Sequence, residues 1–343
     1  MQQDVHQHNR EAISQFRAAL YDCDPAALRR QLHAVCAPEC KVHLGAPIED
    51  VSGGPDGLFE QGYRPLLNAM PDLERRDFIV IAGRSDDDDW VGCAGHYLGT
   101  FEQPWLDIPP TRRAVAMRYH EFFRVADGRV VEIQALWDVP QLMMQADAWP
   151  MTPCLGVNWL VPGPATQDGV LTAAQDPAGT DASLTLVRDM LTDMGKHPRQ
   201  GGPEIMRLEH YWHPKMNWYG PANIGTARGI AAFRRQHQIP FLKALPDRRV
   251  ILSGHGVMFA EGAYVATAGL PNMQMTVTGD GWLGIAPGNQ TITMRSFDFW
   301  RCENGLIREN WVLVDLLNVY QQIGVDVFSR MREVTYARQP RTS

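Results

Sequence analysis

With 343 residues, 45% of them hydrophobic, the chain is longer than one core comfortably fills and suggests about two domains. A formal charge of −7 argues against nucleic acid or an anionic membrane surface as a default partner. No apolar run approaches the ~18 residues of a membrane span, and the polar start MQQDVHQHNREAISQF lacks the apolar stretch of a signal peptide, so a cytoplasmic protein is expected.

The first predicted element is an amphipathic helix carrying Ile13, Phe16 and Leu20. Asp24-Pro25 then offers an N-cap and a first-turn proline for a second helix, Ala26 to Val35. A strand follows near Lys41–Leu44, and a third helix from about Gly54 to Met70. Within this stretch His33, Cys36, Cys40 and His43 place four potential zinc ligands in eleven residues. Helical spacing running into a strand scatters such side chains, so buried thiols and no metal are expected. The six cysteines, Cys23, Cys36, Cys40, Cys93, Cys154 and Cys302, form no disulfide-like framework. After Met70 the pattern alternates: RDFIVIAGR, WVGCAGHYL, RAVAMRYHEFFRV and RVVEIQALWD predict four consecutive strands, with turns at SDDDD and ADG. The four aspartates suit a solvated hairpin tip better than a calcium site.

A stretch rich in Pro, Gly and Ala, residues 147–180, reads as a linker that packs along a domain through Trp149, Trp159 and Leu160. The plan then repeats. Asp181 is expected to cap a helix with Leu184, Val187 and Leu191; EIMRLEHYW predicts a second helix, GIAAFRRQHQIPFLKAL a third, and ENG a hairpin turn. MRYHEFFRVADGRVVEIQALWD (Met117 to Asp138) and MRSFDFWRCENGLIRENWVLVD (Met294 to Asp315) align without a gap at 294 − 117 = 177, sharing Met, Arg, Phe, Arg, Gly, Glu, Leu and Asp. Trp105 to Arg118 matches Trp282 to Arg295 at the same offset, and Gln61 to Asp72 matches Gln236 to Asp247 at 236 − 61 = 175. Three ordered blocks describe a duplicated domain, residues 1–146 and 181–335.

Helices followed by an antiparallel meander give an α+β fold, two tandem cone-shaped domains with three N-terminal helices on a curved sheet. On the last strand of the first copy, Val131, Ile133, Ala135 and Trp137 share a wholly apolar face, opposite Glu132, Gln134, Leu136 and Asp138. The apolar face is expected to meet the sister sheet, making an internal pseudo-dimer with room for a further homodimer.

GHYLGTF…LDIPPTRR, FRVADGRVVEIQALWDVPQLMMQ, FWRCENGLIRENWVLVDLLNVYQQIG and YWHPKMNWYGPANIGTARGIAAFRRQHQIPFLKALPD resemble the SnoaL-like polyketide cyclases of the nuclear transport factor 2-like (cystatin-like) superfamily. Relatives with the cyclase pattern close a ring by an intramolecular aldol reaction, using an aspartate at the end of the last strand. The resemblance puts that role on Asp138 and, in the second copy, on Asp315. Both also stand where an N-cap belongs, before DVPQLMMQ and DLLNVYQQ helices. An aspartate in an apolar cone has its pKa raised toward that of a working base. His96, His120 and His43 are candidate partners in the first copy, each replaced by an apolar residue in the second; strand parity leaves open which face of His120 and Phe122 is inward. In the second copy, His213, His255, Asp298 and Glu309 are further ionisable candidates. Trp105, Phe122, Trp218, Tyr219, Trp282, Phe297 and Trp311 are candidate substrate contacts, or core. Asp107 and Arg112, and in the second copy Ala286, Gly288 and Asn289, depart from the family's loop.

The expected function is cofactor-independent acid–base chemistry on a small, largely apolar carbonyl or hydroxyl compound, of aldol cyclase, isomerase or lyase type. Two alternatives remain: a water-activating hydrolase of the epoxide-opening kind, which a paired Asp–Arg in the pocket would favour, and a ligand-binding or assembly module without turnover.

Overall fold

The computed structural model describes residues 2–21, 24–251, 256–279 and 281–338; Cys23 and His255 lie outside them. The first copy opens with α1 (Gln2–Ala12), α2 (Ser14–Tyr21) and α3 (Pro25–Val35). Asp24 caps α3 by accepting from Ala26 N at 2.9 Å, with Pro25 in the first turn, and Leu28, Leu32 and Val35 are buried. After β1 (Cys36–Leu44) and β2 (Asp50–Val51), one helical run comprises α4 (Gly54–Gly57), a π-helical turn Leu58–Tyr63 and α5 (Arg64–Ala69). The meander is β3 (Glu74–Ser85), β4 (Asp88–Thr100), β5 (Ala114–Ala126) and β6 (Arg129–Trp137), closed by α6 (Val139–Gln145). Its sheet runs β2-β1-β6-β5-β4-β3, with β1 parallel to β6.

The second copy repeats this order. It begins with α7 (Pro177–Lys196), capped by Asp176 rather than Asp181: Asp176 accepts from Gly179 N at 2.9 Å. The expected EIMRLEHYW helix is split into a 3-10 turn Pro203–Met206 and the single turn α8 (Leu208–Tyr211), because Arg207 between them adopts φ 45°. There follow β7 (Trp212–Tyr219), β8 (Thr226–Arg228), α9 (Gly229–Phe233), a π-helical turn Arg234–Gln238 and α10 (Ile239–Ala244). The strands β9 (Arg249–Val250), β10 (Val257–Glu261), β11 (Tyr264–Thr276), β12 (Thr291–Glu303) and β13 (Leu306–Val314) precede α11 (Leu316–Gln322) and α12 (Val327–Arg338). The sheet order β10-β11-β12-β13-β7-β8 mirrors the first, with β9 and β10 together occupying the place of β3. The fold is α+β, two sheets each preceded by helices.

The two sheets meet face to face over a core that includes Ile79, Phe122, Leu136, Phe259, Phe297, Phe299, Trp311 and Leu313. Phe122 sits at the centre, its ring 5.2 Å from Phe297 and 5.3 Å from Phe299. Close approach needs a glycine: a Cβ on Gly83 of β3 would lie 2.6 Å from the Phe259 ring. The pseudo-dimer therefore exists, but through the other face of β6. Ile133, Ala135 and Trp137 turn inward, onto the helices of their own cone, and Leu136 meets the sister sheet. The most apolar face goes where helices cover it, while the seam mixes aromatic rings with buried polar groups.

The linker crosses the seam. Val157 pairs with Thr226 at the β8 edge, Pro162 O accepts from Trp311 Nε1 at 2.9 Å, and Val170 pairs with Val80 of β3. Trp149 lies against Tyr320, whereas Trp159 and Leu160 point outward, 51% and 60% exposed.

Candidate active site

The interiors of the two cones differ. In the first, Arg75 of β3 donates to Asp77 Oδ1 (3.0 and 3.1 Å), Glu121 Oε2 (2.5 Å) and Tyr97 OH (3.2 Å). Tyr97 OH and Trp137 Nε1 donate to Glu121 Oε1, at 2.7 and 3.0 Å, while Tyr119 OH and Arg17 Nε donate to Asp77, at 2.7 and 2.8 Å. The Arg75 guanidinium lies 4.3 Å from the centre of the Tyr119 ring. Arg75, Tyr63, Tyr97, Tyr119 and Glu121 are all buried, so this cone is filled by its own side chains. The guanidiniums of Arg75 and Arg17 hold the buried Asp77 carboxyl below its ordinary pKa against the opposing effect of burial.

In the second cone the same positions shrink. The strand pairings put Ser296 where the first copy has Tyr119, Val314 where it has Trp137, Met273 where it has Tyr97 and Val250 where it has Arg75. Asp298, which takes the place of Glu121, has no guanidinium partner among the described residues. The space vacated shows in exposure: Asp298, Thr267, Met273 and Val314 on the inner wall are each partly exposed, while their counterparts Glu121, Cys93, Tyr97 and Trp137 are buried. Asp298 is thus partly accessible yet ringed by protein. Burial pushes its carboxyl pKa up to about 7, partly offset by Asn310 Nδ2, which donates to Oδ1 at 3.3 Å. Alternation fixes this direction: Phe297 and Phe299 on either side enter the seam, so Ser296, Asp298 and Trp300 face the cone.

The opposite wall comes from the helical run. The His237 imidazole, on the π-helical turn, stacks on Trp218 with centroids 4.3 Å apart, and Phe233 and Phe241 flank it at 5.4 and 5.2 Å. Trp282 stands 5.6 Å from Phe241. Burial lowers the His237 pKa to about 3, so the ring is neutral. Asn310 pairs with Trp218 across β13 and β7, which links the Asp298 side of the floor to the aromatic wall.

The sequence-predicted residues divide accordingly. Trp218 and Trp282 line the second cone, and Trp105 lies in the first, 6.4 Å from Trp137. Phe122, Tyr219, Phe297 and Trp311 belong to the seam. Asp138, His96, His120 and His43 do not form one group. Asp138 lies at the seam, where Oδ2 accepts from Ala222 N of the second copy at 3.0 Å and forms an ion pair with Arg118 Nη2 at 3.6 Å. Asp315 reciprocates, its Oδ2 accepting from Ala46 N of the first copy at 3.0 Å and from Arg295 Nη1 at 3.2 Å. Its Oδ1 caps α11 through Asn318 N at 3.1 Å. Both aspartates border one gap with about 10 Å³ of free space, room for a single water and no substrate. His120 also faces the seam: Nδ1 donates to Phe297 O at 2.9 Å, which leaves Nε2 unprotonated. The His96 ring lies 5.4 Å from Phe78, and burial and the Arg118 charge bring its pKa down to about 3. His43 lies away from both, 2.8 Å from Asp50, and His33 binds Asp56 at 3.1 Å, so neither joins Cys36 and Cys40. Among the described residues no three His, Cys, Asp or Glu side chains gather as metal ligands, and no helix is long and apolar enough to cross a membrane.

Asp298 was visible in the sequence as one ionisable residue among several; His237 and Asn310 were missed. The signal that finds the open cone is the set of large-to-small differences between the copies, Tyr119 against Ser296 and Trp137 against Val314. His96 and His120 point the other way because they belong to the seam.

Among solved structures, a putative SnoaL-like polyketide cyclase from Jannaschia sp. CCS1 is similar to 41% of this chain over 92% of its own, at 19% identity and TM-score 0.36. IdmH, a putative polyketide cyclase from Streptomyces antibioticus, matches 40% of this chain over 98% of its own, at 21% identity and TM-score 0.34. TsrD from Streptomyces laurentii matches 40% over 94% of its own, at 20% identity and TM-score 0.34. No curated protein matches. The SnoaL-like polyketide cyclase family model matches twice, over residues 11–146 and 203–323, and the chain belongs to that family.

Proposed function

We propose that the second cone is the working site of an acid–base enzyme acting on a small, largely apolar carbonyl compound, and that Asp298 is its base. The observation that carries this reading is a partly accessible carboxyl group on the inner face of β12 with its pKa near neutrality, in the copy whose cone also holds the aromatic group Trp218, Phe241 and Trp282. At neutral pH such a carboxylate is both ionised in a substantial fraction and basic enough to take a proton beside a carbonyl. In that step the C–H bond breaks, the proton goes to Asp298, and the electron pair moves onto the carbonyl oxygen as an enolate. In the aldol form of the reaction, the enolate carbon then attacks a second carbonyl of the same molecule, and the new alkoxide takes the proton back from Asp298. Neither redox change nor an external group is needed.

Asp138 and Asp315 serve the seam in this reading, and the first cone is a filled partner. The water-activating alternative calls for a carboxylate–guanidinium pair facing a substrate. In the pair Arg75–Asp77 the hydrogen-bonding capacity is taken up by Glu121, Tyr97, Tyr119 and Arg17, so the base reading is better supported. The test is exchange of α-protons of 2-tetralone in deuterated water. Exchange by the parent protein should be lost in Asp298→Asn and kept in Asp138→Asn and Asp315→Asn. Exchange that survives Asp298→Asn unchanged removes the proposal.

A further inference from the structure

We propose that Ser296 donates the hydrogen bond that holds the enolate oxygen when Asp298 takes its proton, and that Asn272 sets the serine hydroxyl for this task. The inference rests on Asp298 as the base and names the second half of the same site.

Ser296 and Asp298 are two residues apart on the inward face of β12, which puts their side chains ~7 Å apart, pointing the same way. A carbonyl compound lying along that face can present its α-carbon to one and its oxygen to the other. The inward aim of this position is independently visible in the first copy, where Tyr119 fills it and reaches Asp77 at 2.7 Å.

The hydroxyl is held in a donating state. Asn272 Nδ2 donates to Ser296 Oγ at 2.8 Å and to Ser296 O at 3.4 Å. The main-chain carbonyl can only accept, so the nitrogen of the amide is the atom that faces the serine. A serine oxygen that accepts from Asn272 must aim its own proton elsewhere, and among the described residues no acceptor takes it.

Asn272 has no counterpart in the first copy. The β4–β5 ladder runs from Thr100 to Asp89 without interruption, whereas the β11–β12 ladder breaks between Gly269 and Met273 and leaves Leu270, Pro271 and Asn272 opposite Arg295. The bulge folds Asn272 back over Gly269, where an added Cβ would sit 2.3 Å from Asn272 Cβ. Bulge, glycine, asparagine and serine thus occur together in the copy whose cone is open.

Two measurements test this. The first is equilibrium binding of 2-naphthol, a stable enol, against naphthalene, which has the same rings and no oxygen. The parent should hold 2-naphthol more tightly. Ser296→Ala should weaken 2-naphthol about tenfold and leave naphthalene unchanged, Asn272→Ala should fall between, and Ser296→Thr should keep most of the preference. The second is the 2-tetralone exchange assay, in which Ser296→Ala should lower kcat about 100-fold with KM and the pH midpoint unmoved. Equal weakening of both ligands, no preference in the parent, or an exchange rate indifferent to Ser296→Ala overturns the proposal. Failure of the base reading alone looks different: Asp298→Asn then leaves exchange intact, while the naphthol preference still reports on Ser296.

Discussion

Replacing Asp298 by asparagine should make the protein more stable and less active at once. In the unfolded chain this carboxyl loses its proton near its ordinary value of 3.8; in the folded protein it keeps it until about 7. The folded-state value is raised, so stability is full below pH 3.8 and declines as pH rises through about 7. A gap of about 3 in pKa, at ~1.36 kcal/mol each, amounts to ~4 kcal/mol at pH 8, and the partial exposure of Asp298 cuts this to ~2 kcal/mol. An amide of the same shape carries no charge at any pH and escapes the loss. Asp298→Asn should therefore unfold at higher urea concentration than the parent at pH 8, by ~2 kcal/mol, with the difference gone at pH 4. The parent's exchange rate with 2-tetralone should rise with pH to a plateau, half-maximal near pH 7, because the ionised carboxylate is the active form. A variant that is less stable than the parent at pH 8, or a stability difference that ignores pH, refutes the assignment of Asp298 as a strained base.

Ser296→Tyr should refill the second cone as Tyr119 fills the first, abolishing 2-tetralone exchange and 2-naphthol binding with the fold intact by circular dichroism. At the seam, Arg118→Met should cost ~3–5 kcal/mol, since it strands the buried Asp138 and three carbonyls, Tyr219 O, Gly220 O and Val312 O. Arg295→Met should cost only ~1 kcal/mol, because Asp315 retains Ala46 N and Asn318 N and Arg295 is partly exposed; urea unfolding of the two variants tests the ranking. His96 and His120 are buried neutral, so their contribution is present above pH 6.5 and falls as pH drops, by ~1.4 kcal/mol per pH unit for each. His237 adds a third such group, so His120→Phe should remove about a third of the histidine-driven stability loss of the parent between pH 6.5 and 5.

Much of the architecture was legible in the sequence because duplication repeats its own punctuation. Asp24-Pro25 marks a helix start by local chemistry alone, and ADG and ENG mark matching hairpins. The face-to-face sheets followed from a β6 too apolar for water, yet which side met the sister was misread. Alternation defines two faces without naming them; only the helices, whose position is a long-range fact, claim Ile133 and Trp137. The same ambiguity decided the site. His120 and Phe122 share the face that meets the seam, where His96 also lies, and Asp298, one residue beyond Phe297, faces the opposite way. His237 was beyond reach because its partner Trp218 lies on a strand separated from it by a helix start and a loop.

The exchange of hydrogen bonds between Asp138 and Ala222, and between Asp315 and Ala46, has a thermodynamic result. Neither half can detach without breaking the hydrogen bond that its carboxylate accepts from a main-chain N–H of the other half. A chain that looks like two beads on a string should consequently melt in one calorimetric peak, with van 't Hoff and calorimetric enthalpies in agreement.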